Sequence, residues 1–228
     1  MTCVRPASAA SSPDPLPHVA LALAHGQPLR IIAFGSSSTE GVGAASPAGS
    51  YPSRLQVELN ARLGGYGATV ANRGIGGEDV DDMMRRLPAI IAEHPDLVIW
   101  QTGTNDPLRG VDPQHFSELT RQGIQAMRDA GIDVMLMGPQ LCRRLAETAD
   151  AQRFRDAVRV IGDDMHVPVI HRYTMMQEWL ARHMLSETQM LSPDGLHMAD
   201  GGYALLAKAV AHAILAGHRP AHALTASK

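Results

Sequence analysis

The sequence has few of the features that mark nucleic-acid-binding, metal-binding or disulfide-stabilised proteins. Its 228 residues include only two cysteines, Cys3 and Cys142, and their spacing fits neither a disulfide framework nor a zinc site. Aromatic residues make up 4% of the chain, and 20 basic against 23 acidic side chains give a formal net charge of −3. The eleven histidines show no HExxH or comparable spacing, so no metal is predicted. With neither a basic surface nor base-stacking rings, no nucleic-acid partner is expected.

Long hydrophobic runs are also missing. No apolar stretch approaches the roughly 20 residues needed to cross a bilayer, so no membrane span is predicted. The N-terminus lacks the basic and apolar segments of a complete signal peptide, and cytoplasmic and exported locations both remain compatible with a soluble protein. Residues 6–17 are rich in Ala, Ser and Pro, a composition typical of flexible segments. We therefore predict a flexible arm over residues 1–28, one domain over 29–218 and a tail over 219–228.

Five short apolar runs are present, and helical patterns separate them. The runs are LRIIAF (29–34), ATVAN (68–72), DLVIWQ (96–101), DVMLM (133–137) and VPVIHR (167–172). Apolar runs without alternation are typical of strands buried on both faces, as in a parallel sheet. Helical spacing occurs between them, for example at Val80, Met83, Met84 and Leu87. The order of elements predicts a three-layer α/β/α domain with a five-stranded parallel sheet.

Polar, glycine-rich segments follow the first three apolar runs. They read GSSSTEG (35–41), NRGIGGED (72–79) and GTND (103–106), and a fourth, SPDGLH (192–197), precedes the last helical pattern. Each segment alone is most often a turn or a cap. Parallel strands, however, end at one edge of their sheet, and ligand sites lie outside that edge. We therefore expect the first three segments to meet there, with the fourth in a late loop.

This edge would hold a hydroxyl, an imidazole, a carboxylate, an amide and several glycine N–H groups, which are the groups needed for acyl transfer. A serine hydroxyl is a weak nucleophile and needs a neutral imidazole to accept its proton. Asp194 and His197 are three residues apart, close enough for the carboxylate to orient the imidazole. The oxyanion of the tetrahedral intermediate needs fixed hydrogen-bond donors as well.

The four segments resemble, in the same order, the four sequence blocks of the SGNH or GDSL-type serine hydrolases. The resemblance covers about residues 29–217. It implies five parallel strands in the flavodoxin-like order 2-1-3-4-5, with helices on both faces. It also implies hydrolysis of a small-molecule or glycan ester without a metal or an organic cofactor.

Position by position, the resemblance implies a role for five residues. Ser37 stands at the serine of the family's Gly-Asp-Ser and would be the nucleophile. Asp194 and His197 in DGLH match the acid and base of the family's D-x-x-H. The oxyanion hole would consist of the backbone N–H groups of Ser37 and Gly77 and the side chain of Asn105.

One position departs from the family pattern. Ser36 stands where the family usually has Asp, which weakens any transfer of substrate preference from other members. Ser36 and Ser38 are expected to form the turn, and Asp106 is expected to brace a loop. The segment LCRRLAE (141–147) is interpreted as a solvated face that could border the substrate.

The short loops predict an open site for a small acyl group, and hence a short-chain esterase, with O-acetylated glycans as one substrate class. A lysophospholipase or thioesterase is the alternative within the family. A nucleotide-binding flavodoxin-like or Rossmann protein fits badly, because Asp79 occupies the last glycine position of GxGxxG and no GxxxxGK[ST] occurs. A non-catalytic carbohydrate-binding protein is disfavoured because every catalytic position is filled.

Overall fold

The computed structural model describes residues 14–64 and 66–216 and contains one parallel sheet. Its strands are β1 (Leu29–Gly35), β2 (Ala68–Gly74), β3 (Leu97–Gln101), β4 (Asp133–Met137) and β5 (Val169–Ile170). Their order in the sheet is β2-β1-β3-β4-β5, and every neighbouring pair is parallel. The expected number, direction and order of the strands are therefore confirmed, although β5 is shorter than the apolar run that predicted it.

Helices connect and flank these strands in the described ranges, and α4 contains the helical spacing predicted from Val80 to Leu87. They are α1 (Pro17–Ala24), α2 (Ser37–Glu40), α3 (Tyr51–Leu63), α4 (Val80–Ile91), α5 (Pro113–Asp129), α6 (Arg143–Ala146), α7 (Ala151–Met165), α8 (Arg172–Ala181), α9 (Glu187–Met190) and α10 (Asp200–Leu215). Pro88 lies inside α4 without ending it. Within the described ranges, none of these helices is long and apolar enough to cross a membrane.

Strands β1, β3 and β4 are largely buried on both faces of the sheet, whereas the edge strand β2 is partly exposed. Along β1, Ile31 and Ala33 pack into one apolar cluster, whereas Ile32 and Phe34 pack into the other. Helices α1, α3, α8 and α10 cover the first face, and α4, α5 and α7 cover the second. Because residues on both sides of β1, β3 and β4 meet apolar neighbours, these strands read as nearly continuous apolar runs. The three-layer α/β/α architecture is confirmed.

The structure corrects the prediction of a flexible arm over residues 1–28. Residues 17–24 form α1, and Leu16, Val19 and Leu23 are buried in the cluster on the first face. The backbone N–H of Val19 also donates to the Asp133 carboxylate at 2.9 Å. These apolar residues have helical spacing. The prediction of a flexible arm was wrong here because it extended the Ala, Ser and Pro composition of residues 6–17 to the residues that follow. Residues 1–13 of the predicted arm and the predicted tail over 219–228 lie outside the described residues.

Candidate active site

The structure brings together the three residues that the resemblance assigned to an acid–base–nucleophile series. Ser37 is the first residue of α2, which begins directly after β1, and its side chain is 8% exposed. The Ser37 Oγ lies 2.8 Å from Nε2 of His197. Nδ1 of the same imidazole lies 2.6 Å from Oδ2 of Asp194. A carboxylate, an imidazole and a hydroxyl are therefore connected by two hydrogen bonds, the arrangement in which a serine can be deprotonated as it attacks.

The loop before α10 folds around the Asp194 carboxylate. Oδ1 of Asp194 accepts hydrogen bonds from the Ser192 hydroxyl at 2.6 Å and from the backbone N–H groups of Leu196 and His197, both at 2.9 Å. Burial raises the pKa of this carboxyl, but the hydrogen bonds from Ser192 and His197 outweigh it and hold the pKa well below its usual range. Asp194 therefore stays ionised and fixes the imidazole from one side.

Helix α2 lies unusually close to the end of β2. A side-chain Cβ at Gly74 would lie 2.0 Å from the backbone nitrogen of Glu40, so only glycine allows this approach. The Asn72 amide donates to the Glu40 carbonyl at 3.1 Å and its oxygen accepts the Gly74 N–H at 2.9 Å. The NRG part of the second polar segment thus positions the helix that carries Ser37.

The expected oxyanion donors lie around the Ser37 hydroxyl. Ser37, Gly77 and Asn105 line one cavity of about 330 Å³, together with Leu108, Arg109, Arg144, Leu196 and His197. Gly77 has a φ of +81°, a left-handed conformation that favours glycine. The Asn105 amide donates one proton to the Glu78 carbonyl at 2.8 Å, which fixes its plane and leaves its second proton for a ligand.

Two charged side chains brace this edge of the sheet. Arg109 donates to the Gly77 carbonyl at 3.1 Å and pairs with Asp79 at 3.0 Å and with Asp82. Asp106 is 1% exposed, and its Oδ1 accepts the N–H of Val80, the first residue of α4, at 2.9 Å. Burial raises the pKa of Asp106 to about 6. Asp106 thus braces the start of α4, in keeping with the role expected for it.

A buried polar network connects the predicted catalytic segments. The Gln101 side-chain oxygen accepts the Ser36 N–H at 2.9 Å, the Ser36 hydroxyl at 3.1 Å and the Thr39 hydroxyl at 3.2 Å. Ser36 is 1% exposed, so the residue that replaces the family's Asp acts here as a buried donor. The Gln101 amide nitrogen then donates to the Thr104 hydroxyl at 3.3 Å, next to Asn105.

The same network reaches the histidine loop through Gln140 and Arg172. The Thr104 hydroxyl lies 3.2 Å from Oε1 of Gln140, whose amide nitrogen donates to the Leu196 carbonyl at 3.1 Å. Arg172 is 0% exposed and donates to Gln140 at 2.7 Å and to the Gly138 carbonyl at 3.0 Å. In residues 14–64 and 66–216, no carboxylate forms an ion pair with this guanidinium. Burial lowers the pKa of Arg172 to about 10, so it remains charged at neutral pH.

Four residues around the site were not predicted from the sequence: Gln101, Gln140, Arg172 and Arg109. A polar residue at the end of an apolar run, such as Gln101 before GTND, was the one available signal. Arg144 lies within the segment 141–147, which was interpreted as a solvated face that could border the substrate, and it lines the cavity.

The geometry and the fold agree with what comparison with known proteins finds. A model of the Non-GDSL lipase-like family matches residues 2–220, and the chain belongs to this family, among the SGNH/GDSL-type ester hydrolases. The family description is consistent with Gly35-Ser36-Ser37, in which Ser36 replaces the Asp of Gly-Asp-Ser.

Two curated relatives are esterases. An arylesterase of Vibrio mimicus is 27% identical over 153 residues, which are 65% of this chain and 70% of the relative. Esterase TesA of Pseudomonas aeruginosa is 38% identical over 78 residues, which are 34% of this chain and 39% of that protein. Among solved structures, a lipase/acylhydrolase from Enterococcus faecalis has a TM-score of 0.70 and 26% identity, covering 84% of this chain and 98% of its own.

Proposed function

We propose that the protein hydrolyses short-chain carboxylic esters through an acyl-enzyme intermediate on Ser37. The observation that carries the proposal is the unbroken series of hydrogen bonds from Asp194 through His197 to the Ser37 hydroxyl, at 2.6 and 2.8 Å. This series ends in a cavity that also contains Gly77 and Asn105. The residues proposed as nucleophile, base and oxyanion donors therefore line one cavity.

In the first half-reaction, the Ser37 oxygen attacks the ester carbonyl and its proton passes to Nε2 of His197. The imidazolium that forms is stabilised by the ionised Asp194 carboxylate. The carbonyl oxygen becomes an oxyanion and accepts hydrogen bonds from the N–H groups of Ser37 and Gly77 and from the Asn105 amide. His197 then gives its proton to the alcohol oxygen, the ester bond breaks, and the acyl group stays on Ser37.

In the second half-reaction, a water molecule replaces the alcohol. His197 accepts a proton from the water as it attacks the acyl carbonyl, and the same three donors stabilise the second oxyanion. Collapse of this intermediate breaks the Ser37–acyl bond and returns the proton from His197 to the serine oxygen. The free acid leaves, and the original protonation state is restored.

The size of the cavity supports a small acyl group. Its volume of about 330 Å³ lies at the lower end of the roughly 300–1,000 Å³ range of ligand pockets. Leu108 and Leu196 give it apolar walls. Two similar folds belong to an acetyl xylan esterase, with a TM-score of 0.68 and 24% identity, and to an esterase active on acetylated mannans. Acetyl esters of glycans are therefore one substrate class to test.

A second function within the same chemistry has support from a relative. The thioesterase 1/protease 1/lysophospholipase L1 of Escherichia coli is 28% identical over 134 residues, which are 57% of this chain and 59% of that protein. Hydrolysis of lysophospholipids or thioesters is therefore the alternative, and a preference for long acyl chains would favour it over a short-chain esterase.

The test is hydrolysis of 4-nitrophenyl esters from acetate to palmitate by the wild type, Ser37→Ala and Ser38→Ala. Ser38 is the matched control, because its buried hydroxyl has no hydrogen-bond partner among the described residues. We expect a maximum at acetate or butyrate, loss of turnover in Ser37→Ala and nearly full turnover in Ser38→Ala. A maximum at palmitate would favour the long-chain alternative. Full activity of a folded Ser37→Ala variant would overturn the proposal.

A further inference from the structure

The wall of the candidate active-site cavity has an uneven charge distribution. Two of its eight lining residues, Arg109 and Arg144, carry a positive charge, and none of the eight is acidic. A cavity lined by charge of one sign attracts ligands of the other sign and raises their local concentration. Whether each arginine is available to a ligand depends on what else it contacts.

Arg109 is already neutralised by the protein. Its guanidinium pairs with Asp79 and Asp82 and donates to the Gly77 carbonyl. Its pKa is raised by the hydrogen bond to Asp82 and the charge of Asp79, so its charge is held within this cluster. Arg109 thus holds the loop that carries Gly77 and has little free capacity for a substrate.

Arg144, unlike Arg109, forms no ion pair: within the described part of the chain, no carboxylate lies within ion-pair distance of its guanidinium. Its neighbour Arg143 pairs with Glu147 at 2.7 Å, does not line the cavity and has a side chain that is 85% exposed. The two arginines of α6 therefore have different surroundings, one in an ion pair on the surface and one without a partner at the cavity.

The position of α6 is fixed by packing against the cavity walls. Cys142, Leu145 and Ala151 form a small buried cluster, and Leu108 and Leu196 pack against it. These two leucines also line the cavity beside Ser37 and His197. Because one apolar cluster holds α6 and both walls together, the backbone of Arg144 stays at the cavity rather than moving with a free loop.

We propose that this site prefers esters that carry an anionic group, and that Arg144 binds this group while the ester carbonyl is at Ser37. The proposal rests on the proposed esterase function and adds the class of substrate. An arginine pairs readily with a carboxylate or a phosphate oxygen in a two-pronged geometry. The anion belongs to either the alcohol or the acyl part of the ester, and the two sources are separated by experiment.

The substrates form two matched pairs. In the first pair, 4-acetoxybenzoate carries a carboxylate on the alcohol side, and methyl 4-acetoxybenzoate is its neutral counterpart. In the second pair, 4-nitrophenyl hydrogen adipate carries the carboxylate on the acyl side, and its methyl ester is neutral. For each pair, kcat/KM is measured with the wild type, Arg144→Gln and the control Arg143→Gln. Comparing the anionic-to-neutral ratio between variants cancels the intrinsic reactivity of the esters.

We expect Arg144→Gln to lower kcat/KM about tenfold for the anionic ester of one pair and less than twofold for its neutral partner. Arg143→Gln should leave the ratio unchanged, and high salt should reduce the wild-type preference. The substrate pair whose anionic-to-neutral ratio falls in Arg144→Gln identifies whether the alcohol or the acyl part of the ester carries the anion. An unchanged ratio in both pairs, or an equal change in Arg143→Gln, would overturn the proposal. If the neutral esters are hydrolysed in that case, the esterase function still stands; if the wild type hydrolyses no ester, both proposals fail.

Discussion

The guanidinium of Arg109 donates a hydrogen bond to the carbonyl of Gly77 at 3.1 Å. This contact fixes the peptide group between Gly77 and Glu78. The N–H of Gly77, on the other side of the same residue, is proposed to bind the oxyanion. Because Gly77 has a φ of +81° and no neighbour within 4 Å of the position of a Cβ, packing does little to hold it in place. The ion pairs of Arg109 with Asp79 and Asp82 therefore support the backbone geometry at Gly77, the proposed oxyanion donor.

Arg109→Gln should lower kcat on the order of tenfold with little change in KM, because the Gly77 donor is displaced rather than removed. Complete loss of one oxyanion donor costs about 10²–10³ in kcat. Arg85→Gln is the control, because Arg85 also pairs with Asp82 but is not among the residues that line the cavity. Steady-state kinetics on a neutral ester measures both variants, and equal kcat losses would contradict a positioning role for Arg109.

Gln101→Leu should reduce both stability and kcat. The change leaves the Ser36 N–H, the Ser36 hydroxyl and the Thr39 hydroxyl without their acceptor in a buried environment. Each unsatisfied buried donor costs about 1–3 kcal/mol, and any relaxation that rescues them moves the start of α2 and hence Ser37. Thermal unfolding and steady-state kinetics measure the two effects.

The control for Gln101→Leu is Gln56→Leu. Gln56 also uses its side-chain oxygen to accept a backbone hydrogen bond, from Val70 at 2.9 Å, but it does not contact the active site. Gln56→Leu should lower the melting temperature without lowering kcat in the folded state. If Gln101→Leu keeps full kcat at a temperature where it is folded, the network has no positioning effect on Ser37.

Asp106→Asn should change how stability depends on pH. The folded-state pKa of Asp106 is about 6, above the value of about 3.9 for an unperturbed Asp, because the charged form is buried. A raised carboxyl pKa contributes stability below the unfolded pKa, and that contribution is lost as pH rises through about 6. Relative to the wild type, the variant should gain up to about 3 kcal/mol between pH 4 and pH 7.5.

Urea unfolding of both proteins at several pH values in this range tests the prediction through the change in their difference. The amide oxygen of Asn can still accept the Val80 N–H, so the brace at the start of α4 is retained. Parallel stability curves for the two proteins would show that Asp106 titrates alike in the folded and unfolded states.

The strands and the segments that carry the candidate site residues were predictable because they depend on local sequence pattern. All five strands coincide with apolar runs, because both faces of a parallel sheet are buried. Ser37, Asp194 and His197 lie in short segments with recognisable spacing, and the structure places them within hydrogen-bond distance. Once the parallel sheet is predicted, the segments that follow its strands are expected to meet at one edge.

Features that depend on contacts between distant segments were not predictable. Gln101, Gln140 and Arg172 are ordinary polar residues in the sequence, and their burial follows only once β1, β3, β4 and β5 are adjacent. The helix α1 was missed for a related reason. Leu16, which precedes the helix, and Val19 and Leu23 within it give too short an apolar pattern beside a Pro-rich segment to predict a helix. Their burial depends on the first face of the sheet.

In the proposed mechanism Ser37, and neither of its serine neighbours, is the nucleophile. The most direct test is treatment with diethyl 4-nitrophenyl phosphate, which phosphorylates an activated serine and releases 4-nitrophenol. Peptide mass spectrometry then locates the diethylphosphoryl group. We expect one group on Ser37, none in Ser37→Ala, and loss of esterase activity in step with labelling. Labelling of Ser36 or Ser38, or undiminished labelling of Ser37→Ala, would contradict it.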